Sequence, residues 1–442
     1  MKYKMMPSTM LIVVLLLFSS VKVNAQVKID TVSYQHGDYN PEIGYFQKAF
    51  SDKGDPRFMF TDKEGKFAIG IGGTIHATSF FDFSGTVENS TSRFTPEKLS
   101  IPTDYSRHFG LDAVSSEAHI KVRSNLGKHQ IIGYISGVVN DEETFKLDKA
   151  YVSFDGLSIG RIYSFFMDLE AGARTVDLQG VNSQIACTQP LIGYKYRFKN
   201  GVELGISAER PNTQMSSYAE YGFDLDNQCV PDIAIQGHYR TDKGHLQIAG
   251  IYRNISYWLH DPNTQSYAYG ETEHAFGWGV MASGSYKALP TLKFSLQGFY
   301  GKGITRYVNS MGSLGADLTV NEYEYADGVF AEYPKGSLIA KNAIATPVFG
   351  GMFTATYFWK PKLYSSIIVG YNHLYKKDKD IIASDYSFKK SLHAVANIFY
   401  DVDDYCTMGL EYNYGQRWDY DKIDNHDTGH ANRLAATFIY QF

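Results

Sequence analysis

Basic residues recur two positions apart within otherwise apolar segments of the chain. Lys121 and Arg123 form one such pair, and Lys195 and Arg197 form another. If these segments are β-strands, residues two apart share one face. Fixed cations that line a narrow, poorly screened aqueous space attract anions. Counting alternate positions inward from Phe442 gives one face with the bases Lys121, Arg123, Lys149, Lys195, Arg197, Arg240, Arg253, Lys293, Arg417 and Arg433, and the acids Glu117, Glu203, Glu209, Asp232 and Glu411.

These charged residues have two interpretations that are compatible with each other. They can line an aqueous interior and select anions, or they can pair as arginine–carboxylate ladders that rigidify the structure. The whole chain has a formal net charge of −5, so the negative charge is expected mainly on loops and turns. Such a charge also argues against a nucleic-acid-binding protein, which needs a clearly basic domain.

Sequence signatures of catalysis and metal binding are sparse. There is no Gly-x-Ser-x-Gly elbow and no His-Glu-x-x-His motif. Asp424, His426, Asp427 and His430 lie close enough in sequence to bind a cation, but a polar hairpin loop is the favoured interpretation. We therefore expect no enzyme activity, no metal and no cofactor.

The chain has 3 cysteines, too few for a disulfide scaffold. Cys187 and Cys229 both lie at the outer ends of long loops of an exported chain. The sequence therefore leaves two alternatives, a disulfide bridge between them or two free thiols. Cys406 falls on the apolar face of its segment and is expected to act as a small hydrophobe.

The N-terminal residues have the features of a secretory signal peptide. Lys2 and Lys4 precede an apolar run at 10–18, and the small residue Ala25 ends a cleavage site. We therefore assign 1–25 to a signal peptide and 26–66 to an irregular periplasmic segment. No later segment approaches the roughly 20 apolar residues of a transmembrane helix. An exported membrane protein would then have to cross the bilayer as a closed β-barrel.

Period-two patterns predict such a barrel over 67–442. The last segment is the clearest, because Leu434, Phe438 and Tyr440 share one face while Arg433 and Gln441 share the other. Short turn-prone junctions alternate with long polar connections, as in barrels with short periplasmic turns and long external loops. The prediction is all-β, with sixteen antiparallel strands at 67–83, 117–124, 130–139, 149–154, 157–163, 192–198, 202–209, 233–240, 245–257, 278–287, 292–302, 348–359, 363–375, 393–401, 405–417 and 433–442.

Several short motifs in this order resemble the DcaP-like trimeric porins of Gram-negative outer membranes. The likeness runs from about residue 67 to 442. Two features depart from that family: 26–66 has no heptads for an N-terminal coiled coil, and Arg161-Ile162-Tyr163 stands where the family tends to have Gln-Thr-Trp. The motifs are Ala150-Tyr151-Val152-Ser153-Phe154, Gly160-Arg161-Ile162-Tyr163-Ser164-Phe165-Phe166-Met167-Asp168, Gln189-Pro190-Leu191-Ile192-Gly193-Tyr194, Glu209-Arg210-Pro211, Pro231-Asp232-Ile233, Gly301-Lys302-Gly303-Ile304-Thr305-Arg306-Tyr307, Gly409-Leu410-Glu411-Tyr412 and Gly415-Gln416-Arg417.

The resemblance implies a role for the connection at about 164–190. In porins of similar architecture the loop at this position folds inward and sets the pore size. Here it would place Asp168, Glu170 and Arg174 at the constriction, opposite the wall arginines. Residues 165–174 are compatible with a short helix. The alternative is a loop that lies over the outer rim.

The expected function is passive diffusion of small hydrophilic solutes across the outer membrane, with a preference for anions such as dicarboxylates. The resemblance implies a homotrimer embedded in outer-membrane lipid and lipopolysaccharide, and Ala394 and Ala396 offer a flat apolar face for contact between copies. The alternatives are an outer-membrane barrel enzyme and a structural or adhesive barrel without an open pore. The residues expected to line the pore are Lys121, Arg123, Lys149, Arg197, Arg240, Arg253, Arg417 and Arg433.

Overall fold

A computed structural model describes residues 58–61, 67–85, 91–126, 129–215, 223–260, 270–325, 336 and 338–442. The predicted signal peptide lies outside these residues, as does most of the segment 26–66. We number the strands β1 to β22 in chain order. The barrel strands are β2 (Phe67–Ser84), β4 (Glu117–Leu126), β5 (His129–Val139), β6 (Phe145–Phe154), β7 (Leu157–Tyr163), β8 (Thr188–Arg197), β9 (Val202–Glu209), β11 (Asp232–Thr241), β12 (Gly244–His260), β13 (Gly270–Leu289), β14 (Leu292–Lys302), β17 (Pro347–Lys360), β18 (Leu363–Leu374), β20 (Phe388–Asp401), β21 (Cys406–Ile423) and β22 (His426–Gln441).

These strands form a closed antiparallel barrel, which confirms the predicted sixteen-stranded fold. Each strand pairs with the next one in this set, and β22 returns to β2 from Thr74↔Gln441 to Ser84↔Asn432. Closure leaves no open sheet edge, and this is the condition for crossing hydrocarbon with strands. Among the described residues, no helix is long and apolar enough to cross a membrane.

Side chains alternate between the two faces of the barrel wall. In β12, Ile248 is 60% exposed on the outer face, whereas the neighbouring Gln247 is 3% exposed on the inner face. Exposed outer aromatic residues also gather near both ends of the strands. Tyr239, Tyr286 and Tyr400 lie near the short turns, while others, including Tyr300 and Phe349, lie toward the long loops. The outer surface is therefore an apolar belt with an aromatic girdle at each end.

The two ends of the barrel differ in their connections. At one end the strands join through short turns, such as Asp155-Gly156, where both residues have positive φ (48° and 91°). Glycine tolerates this left-handed backbone without strain, and the turn suits the twist of the flanking strands. At the other end most connections are long, and several carry short strands of their own.

The short strands show where the sequence pattern underestimated the order of the chain. Strand β1 interrupts the segment predicted to be irregular and pairs with β2. Strands β15, β16 and β19 form a separate three-stranded sheet from two long loops. The short strands are β1 (Phe58–Thr61), β3 (His108–Asp112), β10 (Phe223–Leu225), β15 (Leu318–Tyr325), β16 (Leu338–Ala345) and β19 (Ile381–Ile382).

Two local predictions are wrong. The connection 418–432 is not a long loop, since β21 and β22 continue to a tight turn at Asp424-Asn425, where φ is 49° and 66°. Residues 165–174 form no helix. The Asp168 carboxylate accepts hydrogen bonds from the backbone N–H groups of Glu170 (2.9 Å) and Ala171 (3.4 Å), but Gly172 follows directly and glycine disfavours a helix.

Candidate functional site

The connection between β7 and β8 folds into the barrel. We call residues 164–187 the inner segment. Phe166, Ala173 and Val181 are fully buried although they belong to a connection between strands. Glycines in the wall make room for it: a Cβ atom at Gly193 would lie 2.5 Å from the ring of Phe165. The absence of a side chain at that wall position therefore lets the ring pack closely against the strand.

One end of the inner segment docks on β12 and β13. Oδ2 of Asp168 lies 2.9 Å from Nε2 of His245 and accepts a hydrogen bond from the Ser283 hydroxyl at 2.6 Å. The Gln247 amide donates to the carbonyl of Met167 at 3.0 Å. These contacts come from the inner face of two adjacent strands. They fix the backbone of the segment as well as its side chains.

The middle of the inner segment docks on β20 and β21, five strands further round the barrel. The backbone N–H of Val176 donates to the Glu411 carboxylate at 2.9 Å. The Asn397 amide donates to the carbonyl of Arg174 at 2.8 Å. The two sets of contacts lie on distant strands, so the segment crosses the barrel interior.

A second loop, which the sequence analysis missed, also enters the barrel. In the connection before β3, the buried Glu97 accepts hydrogen bonds at Oε1 from the amides of Asn182 and Asn372 (3.1 Å each) and from the Ser391 hydroxyl (2.6 Å). Phe94 of the same loop lies over Gly415, where a Cβ atom would be 2.7 Å from the ring. Glu97 thus links this loop to the inner segment and to the wall.

Three of the expected pore-lining arginines are buried in ion pairs with carboxylates. Arg433 pairs with Asp82 through two bonds of 2.6 and 2.9 Å. Arg417 pairs with Asp419 through two bonds of 2.6 Å. Both guanidinium groups also donate to backbone carbonyls of the loop that contains Glu97. These two residues therefore anchor a loop, as the ladder interpretation describes.

Arg253 is the third of these buried arginines, and it is 1% exposed. Its guanidinium lies 3.1 Å from Asp232 and 3.0 Å from Asp317, and it also donates to the carbonyl of Asn212 at 2.7 Å. Asp317 belongs to the long connection after β14. Arg253 therefore fastens two external loops to the barrel wall.

The other expected pore-lining bases lie in more varied surroundings. Lys149 is buried beside Asp148 and Glu117. Arg197 is half exposed and contacts Glu203 at 2.5 Å, and Arg240 pairs with Glu170. Lys121 and Arg123 lie on the inner face of β4, where Lys121 is buried and Arg123 half-buried.

The three residues expected at the constriction have separate positions. Asp168 is buried against His245, and Glu170 faces the wall through Arg240. The guanidinium of Arg174 lies 4.3 Å from the ring centre of Phe399. The structure thus brings Glu170 to a wall arginine but places Arg174 against an aromatic ring.

Two cavities lie on opposite sides of the inner segment. A cavity of about 300 Å³ faces the long loops and is lined by Glu117, Lys149, Tyr163 and Met167, among others. A cavity of about 370 Å³ faces the short turns and is lined by Glu170, Arg174, Pro361, Asp401 and neighbouring residues. The inner segment therefore contributes to the lining of both cavities.

The three cysteines are free, so the bridge between Cys187 and Cys229 does not form. Burial raises the pKa of the Cys187 thiol to about 11. Cys406 shares the outer face of β21 with Met408. Within the part of the chain that the structure describes, no group of three or more His, Cys, Asp or Glu residues is arranged to hold a metal ion.

A closed barrel with an apolar outer belt, a charged interior and an inward-folded segment defines the class of transmembrane β-barrel channels. The chain belongs to the porin subfamily, whose sequence profile matches residues 79–430. It is accordingly an outer-membrane porin, and family and fold indicate a channel rather than an enzyme.

Solved structures of other outer-membrane proteins share this fold. The outer membrane channel DcaP of Acinetobacter baumannii has 16% sequence identity and a TM-score of 0.66, over 87% of this chain and 99% of that chain. This confirms the resemblance to DcaP-like porins. An anion-selective porin from Comamonas acidovorans has 9% identity and a TM-score of 0.51, over 85% and 100% of the two chains. OmpT, an outer membrane protein of Vibrio cholerae, has the same identity and TM-score, over 85% and 98%. No curated protein matches the chain in sequence.

The contact of Asp168 with His245 should make docking of the inner segment sensitive to acid. Burial alone would raise the pKa of Asp168, but the hydrogen bonds from His245 and Ser283 outweigh burial and lower the pKa from 3.8 to about 2. A depressed pKa stabilises the docked state fully above the ordinary pKa of an aspartate. This stabilisation is lost as the pH falls through about 2.

We expect uniform single-channel current steps from pH 7 to pH 4 and unstable steps as the pH approaches 2, because protonated Asp168 loses its charge-assisted contacts. Asp168→Asn should give unstable steps already at pH 7. Asp242→Asn, in an exposed turn, serves as the control and should behave as wild type. Uniform steps in Asp168→Asn at neutral pH would contradict this role.

Proposed function

We propose that this porin mediates passive diffusion of small hydrophilic solutes and prefers anions. The observation that carries the proposal is that basic residues outnumber acidic ones on the inner wall from β4 to β9, toward the short turns. The described inward-facing residues there include Lys121, Arg123, Lys195 and Arg197, with one acid, Glu203. Glu203 contacts both Arg197 and Lys195 (2.5 and 3.8 Å), so the patch keeps a net positive charge.

The proposed selectivity patch contains fewer residues than the sequence alone suggested, because three of the expected arginines are buried in ion pairs. Arg253, Arg417 and Arg433 each have buried carboxylate partners, which cancel much of their field. The other four basic residues of the patch, Lys121, Arg123, Lys195 and Arg197, lie on the wall from β4 to β8. The inner segment is docked chiefly on the other strands, so we propose that solutes pass between it and this wall. In such a confined space fixed charge is weakly screened.

Dicarboxylates are the solutes that this patch would suit. Lys121 and Arg123 are two residues apart on one face, a separation of roughly 6.7 Å between Cα atoms. Two cations at that spacing can each engage one carboxylate of a short diacid. The anion-selective porin of Comamonas acidovorans has the same fold, which is compatible with this preference.

Reversal potentials in a potassium chloride gradient test the proposal. Wild type should favour chloride, and the preference should weaken at high salt, since the Debye length falls from about 10 Å at 0.1 M to about 3 Å at 1 M. The double variant Lys121→Gln/Arg123→Gln should lose most of the preference. Lys341→Gln/Lys422→Gln removes the same formal charge from exposed external positions and should leave it unchanged. Cation preference in wild type, or equal behaviour of the two double variants, would contradict the proposal.

We further propose that the porin is a homotrimer in outer-membrane lipid and lipopolysaccharide. The resemblance to trimeric DcaP-like porins supports this state. Ala394 and Ala396 lie on the outer face of β20 and form a small-residue patch that another copy can approach. The apolar outer belt and its aromatic girdles suit the lipid contact.

Native mass spectrometry of the protein in mild detergent should give a trimer. Replacing Ala394 and Ala396 together with Trp should shift the population toward monomer, because bulky side chains prevent close approach. The matched change of Gly237 and Ala282, on the outer face of other strands, should leave the trimer intact. A monomeric wild type would contradict the proposal.

A further inference from the structure

The cavity on the turn side of the inner segment has a composition that points to a solute class. Its wall comes from β13, β14, β17 and β18, and the inner segment covers it with Glu170, Gly172 and Arg174. Its volume of about 370 Å³ accommodates a small organic molecule. We call it the turn-side cavity.

Hydroxyl groups form two registered rows across this wall. Ser285 lies opposite Ser295, which lies opposite Thr354, so three hydroxyls follow one another on three adjacent strands. In the next row, Lys293 lies opposite Thr356, which lies opposite Ser366. Five hydroxyls and one ammonium group therefore face a single cavity.

Two further observations show that the cavity has unused hydrogen-bonding capacity. Thr354 and Tyr364 are 5% and 7% exposed, and both line the cavity. Their side-chain oxygens, Oγ1 and Oη, have no hydrogen-bond partner among the described residues. Buried hydroxyl groups are nearly always hydrogen-bonded, so these two call for water or a ligand.

The charges around the cavity favour an anion. Arg174 and Lys293 supply two positive groups, and the Arg174 guanidinium lies against the rings of Phe399 and Tyr364 at 4.3 and 5.2 Å. Of the two acids in the lining, Glu170 is paired with Arg240. The other, Asp401, accepts a hydrogen bond from the Thr407 hydroxyl at 2.8 Å. Counted together with Arg240, the charged groups at the cavity are three bases and two acids, so their formal net charge is +1.

We propose that the turn-side cavity is a binding site for small polyhydroxylated carboxylates, the chemical class of sugar acids. Arg174 and Lys293 would bind the carboxylate, and the hydroxyl rows would exchange hydrogen bonds with the hydroxyls of the solute. A plain dicarboxylate would leave Thr354 and Tyr364 without partners. The inference rests on the proposed function, because the solute reaches the cavity through the open channel.

Block of the chloride current in planar bilayers tests this site, with gluconate, sorbitol or adipate added on the turn side. Gluconate combines charge with hydroxyls, sorbitol has hydroxyls alone, and adipate has carboxylates alone. Gluconate should block at the lowest concentration. Thr354→Val keeps the side-chain shape but removes the hydroxyl, so it should raise the half-blocking concentration of gluconate about fivefold, the effect of one hydrogen bond. The same variant should leave block by adipate unchanged.

Thr213→Val is the matched control. Thr213 is 7% exposed, its hydroxyl also has no partner among the described residues, and it lies outside the cavity. Gluconate should block the current through this variant at the same concentration as through wild type. Equal block by gluconate and adipate would overturn the inference, and so would an unchanged half-blocking concentration of gluconate in Thr354→Val. In either case, continued conduction of chloride would still support the proposed function. A channel that conducts no ions would instead overturn the proposed function.

Discussion

The structure depends on one constraint, which is that hydrocarbon offers no hydrogen bonds to the backbone. The pairing of β22 with β2 satisfies this constraint by closing the last ladder. Closure also sorts the side chains, because alternate residues must face either lipid or the interior. Every charged residue on the inner positions of a strand is thereby confined to a space enclosed by the wall. The electrostatics of that space then decide how the loops fold and which solutes pass.

Inside the barrel, most buried charges are matched by opposite charges or by dipoles. Arg433 forms an ion pair with Asp82, and Arg253 forms ion pairs with Asp232 and Asp317. Glu97 accepts three hydrogen bonds. Removing one partner from such a pair is costly, typically about 3–5 kcal/mol. These matched groups fix the inner segment and the loop that contains Glu97. We infer that the bases on the wall from β4 to β8 determine the solute selectivity.

The sequence predicted the wall well because period-two alternation is a local signal. The predicted bounds of β7, β9 and β14 agree with the structure to the residue. It predicted the interior poorly because the partners there are distant in sequence: Arg253 and Asp317 are 64 residues apart. One usable signal was overlooked. Inward-facing glycines such as Gly193 and Gly415 mark where Phe165 and Phe94 pack against the wall.

The central claim is that solutes pass between the inner segment and the wall from β4 to β8. Its most direct test is thiol modification in a chain whose three cysteines are replaced by serine. A charged methanethiosulfonate reagent should react with Arg123→Cys, which replaces a half-buried residue on the inner face of β4, and lower the single-channel current. It should leave Ser391→Cys unmodified, since that position is buried where Glu97 and Asn182 dock. Current loss through Ser391→Cys with none through Arg123→Cys would contradict the account.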